Sequence, residues 1–316
     1  MRVRKVVIPV AGLGTRLLPT TRALPKEMLP VGKYPAIQHV VEEMAAANLT
    51  KCLFITSHSK TIIENQFDNN VDLASQSDQN HGSNDTGQLD YSRRGIEFFY
   101  TRQQALSPAK GPRGTGAAIL AAESFVDREH FAVAYGDTII NTRHTPNFLA
   151  RMIESHLEYG SACTVGVRPV TSDMVGRYGI VEPDPADDLN ADSFAIHDLV
   201  EKPGADEAPS LMAVSARYVF SPDIFDEIRA LAQAAREEIG VTDAIRGLIR
   251  RGKSVRCVRL LADETRYDIG SHASYYRAFI DFALQDPECG DRIREYLEAC
   301  VRRAGKTPDP GEVRGQ

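Results

Sequence analysis

Val6-Val7-Ile8-Pro9-Val10-Ala11-Gly12-Leu13-Gly14-Thr15-Arg16 is the stretch on which the fold reading turns. A β-branched run ends at a small residue, two glycines follow, and a cation closes the segment. β-branched residues favour strands. A glycine-rich turn after a first strand lets backbone N–H groups approach a phosphate or a base. Outward from this point the apolar pattern changes period repeatedly. Ile37, Val40, Val41 and Met44 recur at helical spacing, and Leu53-Phe54-Ile55 reads as a strand. Ile62, Ile63 and Phe67 predict a helix, Phe98-Phe99-Tyr100 a strand, 117–125 a helix, and 131–135 a strand ending at Gly136-Asp137. Repeated strand–helix–strand units predict an α/β chain with a doubly wound, mostly parallel sheet. Ligands in such sheets sit outside the carboxyl ends of the strands, so Gly12 and Asp137 fall on one rim.

From Ser161 onward the expected strands are denser, at 163–167, 178–181, 195–200 and 212–220. Helices are expected at 222–235, 242–251, 273–284 and 291–303. Residues 72–95, with SQSDQNHGSNDTG at their centre, carry neither period and predict a mobile loop. GKTPDPGEVRGQ reads as a frayed tail. No repeat of solenoid length is present. With 316 residues, the chain suits one large domain or two, and a chain of that size buries enough surface to need no disulfide or metal staple.

The formal net charge of −6 argues against a general nucleic-acid binder, which needs a basic face, but leaves room for a nucleotide pocket. No run approaches the roughly 20 apolar residues of a membrane span. MRVRKVVIPVAG lacks a small-residue cleavage site and reads as a strand rather than a signal peptide. Cys52, Cys163, Cys257, Cys289 and Cys300 form no C-x-x-C pair, and their odd number suits unreactive thiols in a cytoplasmic protein.

Two familiar phosphate loops are excluded by spacing. There is no G-x-x-x-x-G-K-[ST], and Leu17 stands where a dinucleotide fingerprint needs its third glycine. The loop instead runs on through Pro19 to Pro25-Lys26-Glu27-Met28-Leu29-Pro30. Each proline fixes φ and donates no N–H, which predicts an extended, stiff segment across the rim. Arg16 and Lys26 project from it. A guanidinium suits bidentate phosphate contact and an ammonium acts as a compact point charge. Either cation alone is an ordinary surface charge; both on one stiff loop point to phosphate.

AGLGTRLLPTTRALPKEMLPVGKYPAIQHVVEE resembles the signature of bacterial UTP–glucose-1-phosphate uridylyltransferases, within the wider sugar nucleotidyltransferase family. The resemblance resumes at SHSKTIIENQFD, VGRYGIVEPDP, LVEKPGADEAPS, ARYVFSPDIFD and RYDIGS, in the family order. It implies a Rossmann-like fold with a sugar-binding β-rich insertion and C-terminal helices. The implied division is a nucleotidyltransferase domain over 1–285, with a nucleotide-binding half (1–160) and a sugar-phosphate-binding half (161–285), then a C-terminal helix and tail over 286–316. The implied substrates are UTP and a sugar 1-phosphate, the implied cofactor is Mg²⁺, and relatives lead us to expect a homo-oligomer.

The resemblance also implies roles residue by residue. Arg16 holds the pyrophosphate end of UTP, and Lys26 sits at the α-phosphate. Ala11 and Gly12 read the uracil with Gln103, whose amide both donates and accepts; Gly14, Thr15, Glu27 and Gly116 complete the nucleotide site. Asp137 binds Mg²⁺, and Asp268 in Arg266-Tyr267-Asp268 is the second acidic position. A lone Asp at a strand end also serves as a cap, and a turn carboxylate would explain Asp268. Glu201 accepts from sugar hydroxyls, Lys202 pairs with the sugar phosphate, and Gly179 lets the backbone approach the sugar. Adjacent strand residues point to opposite faces, so Glu201 and Lys202 reach one site only where the strand ends and turns. The chain departs from the family at Gly240, Ala216, His272 and Ser274, all on the implied sugar side, and QALSPAKGPR lengthens the loop after Gln103. These departures keep open another hexose phosphate, a thymidylyltransferase, or a non-catalytic nucleotide-sugar sensor.

Overall fold

The computed structural model describes residues 2–58, 60–68, 90–103, 114–188, 191–234 and 238–304. Most of the loop expected at 72–95, the lengthened loop at 104–113 and the tail beyond 304 lie outside the described residues. Thirteen strands are described: β1 Lys5–Pro9, β2 Pro30–Val31, β3 Tyr34–Pro35, β4 Lys51–Thr56, β5 Glu97–Arg102, β6 Phe131–Ala134, β7 Thr138–Asn141, β8 Cys163–Pro169, β9 Gly179–Pro183, β10 Ser193–Glu201, β11 Met212–Phe220, β12 Val255–Arg259 and β13 Thr265–Asp268. The helices are α1 Ala36–Ala46, α2 Thr61–Phe67, α3 Thr115–Leu120, α4 Glu123–Val126, α5 Phe148–Glu158, α6 Ile224–Gln233, α7 Val241–Arg250, α8 His272–Leu284 and α9 Gly290–Ala304.

Nine strands form one sheet in the order β5-β4-β1-β6-β11-β8-β12-β10-β9. Helices cover both faces, as the alternation predicts, because successive strand residues point to opposite sides. Val7, Leu53 and Phe131 face α3, α4, α6 and α7 through Ile119, Val126, Phe225 and Ile245. Val6, Ile8 and Phe54 face α1, α2 and α5 through Ile37, Val41, Phe67 and Met152. A mostly parallel sheet, however, describes only the first half. β5, β4, β1 and β6 are parallel, but β11 runs antiparallel to both β6 and β8, and β10 to both β9 and β12. The sheet is mixed. Strand–helix alternation stops near 161, and strands joined without an intervening helix can return antiparallel.

The proline segment is also not extended. It folds as three single 3₁₀ turns, Thr15–Leu17, Thr20–Arg22 and Lys26–Met28, with Pro19 and Pro25 capping the second and third. The φ that proline imposes is close to that of a 3₁₀ turn, so stiffness is gained by winding.

Two polar pairs, each with a fully buried member, tie the layers together. Arg217 on β11 is fully buried; its Nη2 donates to the Glu43 carboxylate and to the Thr138 carbonyl, each at 2.7 Å. This anchors β7 immediately after Asp137. Ala216, beside it, has φ 57, where β11 slips register against β8 between Val214 and Tyr218.

The second pair is His130 Nδ1 and His156 Nε2, 2.7 Å apart, with Thr164 Oγ1 3.1 Å from the other His156 nitrogen. Burial, with His130 adding, lowers the His156 pKa from 6.5 to about 4. The folded state therefore holds His156 neutral. The stability this contributes is complete above the unfolded value and is lost as pH falls toward the folded one. We expect a loss of about 2 kcal/mol between pH 7 and pH 5. Melting curves across that range should show a smaller drop for His156→Gln than for wild type; parallel drops would discharge the pair.

Candidate active site

β1 delivers Ala11 and Gly12 to the rim, and β6 delivers Asp137 beside them, because the two strands are parallel neighbours. Lys26, on the third 3₁₀ turn, bonds the Asp137 carboxylate with its ammonium. Ala11, Gly12, Lys26, Glu27, Gln103 and Asp137 bound a cavity of about 230 Å³, joined by Gly114, Thr115, Tyr135 and Glu238. Gln103 donates from its amide to the Gly114 carbonyl at 3.2 Å. A larger hollow, about 670 Å³, lies between α4 and the start of α6, but none of the sequence-predicted residues lines it.

The charges around the cavity form a chain. Lys60 at the start of α2 donates to both oxygens of buried Glu27, at 3.0 and 2.8 Å. Burial opposes the charged form of Lys26, yet Asp137 and Glu27 hold its pKa above the usual lysine value. Burial alone would raise Asp137, but Lys26 and Arg266 bring it below the ordinary carboxylate value. The cavity wall thus carries a fixed ammonium beside a fixed carboxylate.

Asp268 stands next to Asp137. β13 pairs with β7 so that Asp268 faces Thr138, and the Ile269 N–H donates to the Asp137 carbonyl at 2.8 Å. Burial raises the Asp268 pKa, Asp137 adds to that, and Arg266, Lys26 and Arg16 oppose it. Arg16 reaches the same spot: a Cβ on Gly270 would lie 3.1 Å from its Nη2 and 2.9 Å from Asp268 Oδ1. Two adjacent carboxylates supply hard oxygen donors, the set that Mg²⁺ takes together with phosphate oxygens and water. Lys26 engages Asp137 through Oδ2, while Oδ1 takes the Thr138 hydroxyl at a loose 3.4 Å, so the residues fit such an ion. Among the described residues no cluster of three or more His, Cys, Asp or Glu offers a cage made by protein alone.

Gly136 explains why Asp137 sits where it does. A Cβ there would lie 2.5 Å from Val10 Cγ1 and 2.8 Å from Ile37 Cδ1. Gly136→Ala is expected to cost about 1–3 kcal/mol by overpacking, measured by denaturant unfolding; an unchanged midpoint would show that the neighbours yield.

The other acidic–basic pair lies at the end of β10. Lys202 has φ 47, a left-handed turn that brings its Nζ to 3.3 Å from Glu201 Oε1. The turn is what the end of a strand must supply for both side chains to serve one site. The other Glu201 oxygen accepts from the Thr242 hydroxyl at 2.8 Å. Gly179 lies opposite Glu201, and a Cβ on it would meet Glu201 Oε2 at 3.3 Å.

A family model described as nucleotidyl transferase matches residues 5–284. The chain belongs to the nucleotidyl transferase family. This nucleotidyl transferase is 37% identical over 305 residues to the UTP–glucose-1-phosphate uridylyltransferase YngB of Bacillus subtilis (strain 168), covering 96% of this chain and 98% of that one. It matches the structure of the UDP-glucose pyrophosphorylase from Acinetobacter baumannii at a TM-score of 0.81 and 32% identity, over 95% of this chain and all of that one. The UTP-bound UGPase from the same organism matches at a TM-score of 0.81 and 31% identity, over 94% and 99%.

Not every sequence-predicted residue of the nucleotidyl transferase meets the cavity. Gly14 has φ 67 and its carbonyl accepts from the Thr21 hydroxyl at 2.8 Å, holding the loop's shape. Thr15 is exposed at the start of the first turn. Gly116 packs on Ile239, to whose carbonyl its N–H donates at 2.8 Å, and does not line the cavity. Lys60 and Thr242 were missed by sequence reasoning. Lys60 lies within SHSKTIIENQFD and Thr242 two residues after Gly240, but a lone Lys or Thr carries no signal of its own.

Proposed function

We propose that the chain transfers the uridylyl group of UTP to glucose 1-phosphate, releasing pyrophosphate and forming UDP-glucose. The observation that carries this is the Lys26–Asp137 pair on the wall of the cavity that opens beyond the glycine turn. The names of the relatives and the UTP-bound neighbour support the choice of nucleotide and sugar. In this reading the transfer needs alignment and charge neutralisation rather than a covalent nucleophile.

Ala11, Gly12 and Gln103 take the uracil, with Gly14, Thr15, Glu27 and Gly116 shaping the nucleotide side. Arg16 holds the leaving pyrophosphate, and Lys26 neutralises charge on the α-phosphate. Gly179 and Glu201 receive the sugar and Lys202 its phosphate. Asp137 and Asp268 would hold Mg²⁺. When bound, that ion neutralises and orients the triphosphate. The division into a domain over 1–285, with halves 1–160 and 161–285, and a C-terminal helix and tail over 286–316 belongs to the same reading. So do the Rossmann-like character of the first half and a cytoplasmic setting. No described helix is long and apolar enough to cross a membrane. Exposed Tyr276, Phe279 and Ile280 on α8 and Tyr296 on α9 support a homo-oligomer.

Pyrophosphate release from UTP, dTTP, CTP and ATP, each crossed with several hexose 1-phosphates, tests the reading. Fastest release is expected with UTP and glucose 1-phosphate. Silence across all pairs would favour a nucleotide-sugar sensor, and preference for another pair would replace the substrate.

A further inference from the structure

Arg168 on β8 and Arg266 on β13 place their guanidinium carbons 5.1 and 5.4 Å from the centre of one ring, that of Tyr178. The arrangement is costly as it stands. The Nε of each arginine is buried with no hydrogen-bond partner, and the Arg266 side chain is only 8% exposed. Its nearest carboxylate contact is loose, 3.8 Å to Asp268. Among the described residues Arg168 makes no ion pair. Burial and the neighbouring Arg266 charge both lower the Arg168 pKa. Tyr178 takes a hydrogen bond from Arg168, and Asp268 and Asp137 answer part of the positive charge. Two like charges this close, each with an unpartnered buried Nε, are nevertheless stabilised further by an added anion.

Their place in the fold says what that anion is. Tyr178 immediately precedes Gly179, and its carbonyl accepts the Lys202 N–H at 3.0 Å. Arg266 is two residues from Asp268. The cluster therefore lies between the Glu201–Lys202 turn and the acid pair. On the triphosphate side Arg16 and Lys26 supply positive charge. On the acceptor side Lys202 is 61% exposed and tied to Glu201, although a sugar 1-phosphate arriving there is a dianion facing another anion.

We propose that Arg168 and Arg266, set around Tyr178, form an anion subsite that binds the phosphate monoester of the acceptor sugar. The proposal rests on the uridylyltransferase reading for the identity of the acceptor. The subsite itself rests on the paired guanidiniums. Arg168, which makes no ion pair among the described residues, contacts the phosphate, while Arg266, 3.8 Å from Asp268, holds Tyr178 and Asp268 in register with it.

Steady-state kinetics of the full chain should show Arg168→Gln raising KM for glucose 1-phosphate by about tenfold or more, the effect of losing a charged hydrogen bond. KM for UTP should stay within about twofold on the same scale, and Arg168→Lys should recover much of the loss. The ligand-free Arg168→Gln protein should melt no lower than wild type, because a like-charge neighbour has gone. A separate binding measurement keeps the subsite distinct from the reaction. Glucose 1-phosphate, and more weakly inorganic phosphate, should raise Tm of the wild type but not of Arg168→Gln, whereas uncharged glucose should leave both unchanged. If no nucleotide pair turns over but the phosphate-dependent rise in Tm persists, the reaction reading falls and the subsite stands. Equal rises in both KM values, unchanged KM values, or a phosphate-dependent Tm rise retained in Arg168→Gln would overturn the subsite. A Tm rise of the wild type with glucose as large as with its phosphate would do the same.

Discussion

Replacing Lys26 by alanine is expected to lower kcat by about 10²- to 10³-fold, the usual cost of removing one preorganised group that stabilises developing charge. Lys26 is preorganised in a literal sense. Its turn is capped by Pro25, its ammonium is held by Asp137, and Glu27 beside it is itself pinned by Lys60. The charge is maintained against burial, so it is present whenever substrate arrives. A Cβ on Gly12 would lie 3.9 Å from Lys26 Nζ, which puts the ammonium directly against the loop. In its proposed role the charge acts where negative charge builds up, so kcat should fall more than KM for UTP rises. Steady-state kinetics with a melting curve of the variant separates this from misfolding. A loss below about fivefold would remove Lys26 from the chemistry.

Chelation of divalent cations is expected to abolish turnover, and added Mg²⁺ to restore it. Asp137→Asn should behave like the chelated wild type, because an amide keeps the shape and the contact with Lys26 but gives up the charge a hard cation requires. Asp268→Asn should instead raise the Mg²⁺ concentration needed for half-maximal rate. Its carboxyl is the more basic of the two, so it gains most from a cation that relieves the repulsion. Full activity of Asp137→Asn, or indifference to chelators, would move the metal elsewhere or dispense with it.

The residues explain what could be read in advance. β1 and the turn at Gly12 announce themselves because a central parallel strand is apolar on both faces and must stop at small residues. Asp137 is legible as the end of 131–135 for the same reason. The direction of β11 was not legible. MAVSARYVF is buried along nearly its whole length, so it lacks the alternation that marks an antiparallel strand with one wet face. α5 was missed although Asn147 caps it, accepting the Ala150 N–H at 2.9 Å, and Phe148, Leu149 and Met152 carry its apolar side. β7 and β13 hold only four residues each, and β12, VRCVR, interleaves its apolar residues with arginines, so none of them stands out as an apolar run. Prolines in sequence predict a stiff rod, but their φ suits a tight turn as well. In the site, cations on the loop were legible because composition and stiffness coincide there. Lys60, Thr242 and Arg266 were not, since their meaning lies in partners 33, 41 and 88 positions away by sequence number, Glu27, Glu201 and Tyr178.

The unbroken sheet has a mechanical corollary. A swing of one half against the other would have to tear ladder bonds along β6, β11 and β8, so the floor beneath the two reactants behaves as a single anvil. Adjustment on ligand arrival is then confined to side chains and rim segments. In the proposed reading, retuning for a new acceptor would proceed by side-chain changes at the β9–β10 end while the sheet beneath keeps its ladder.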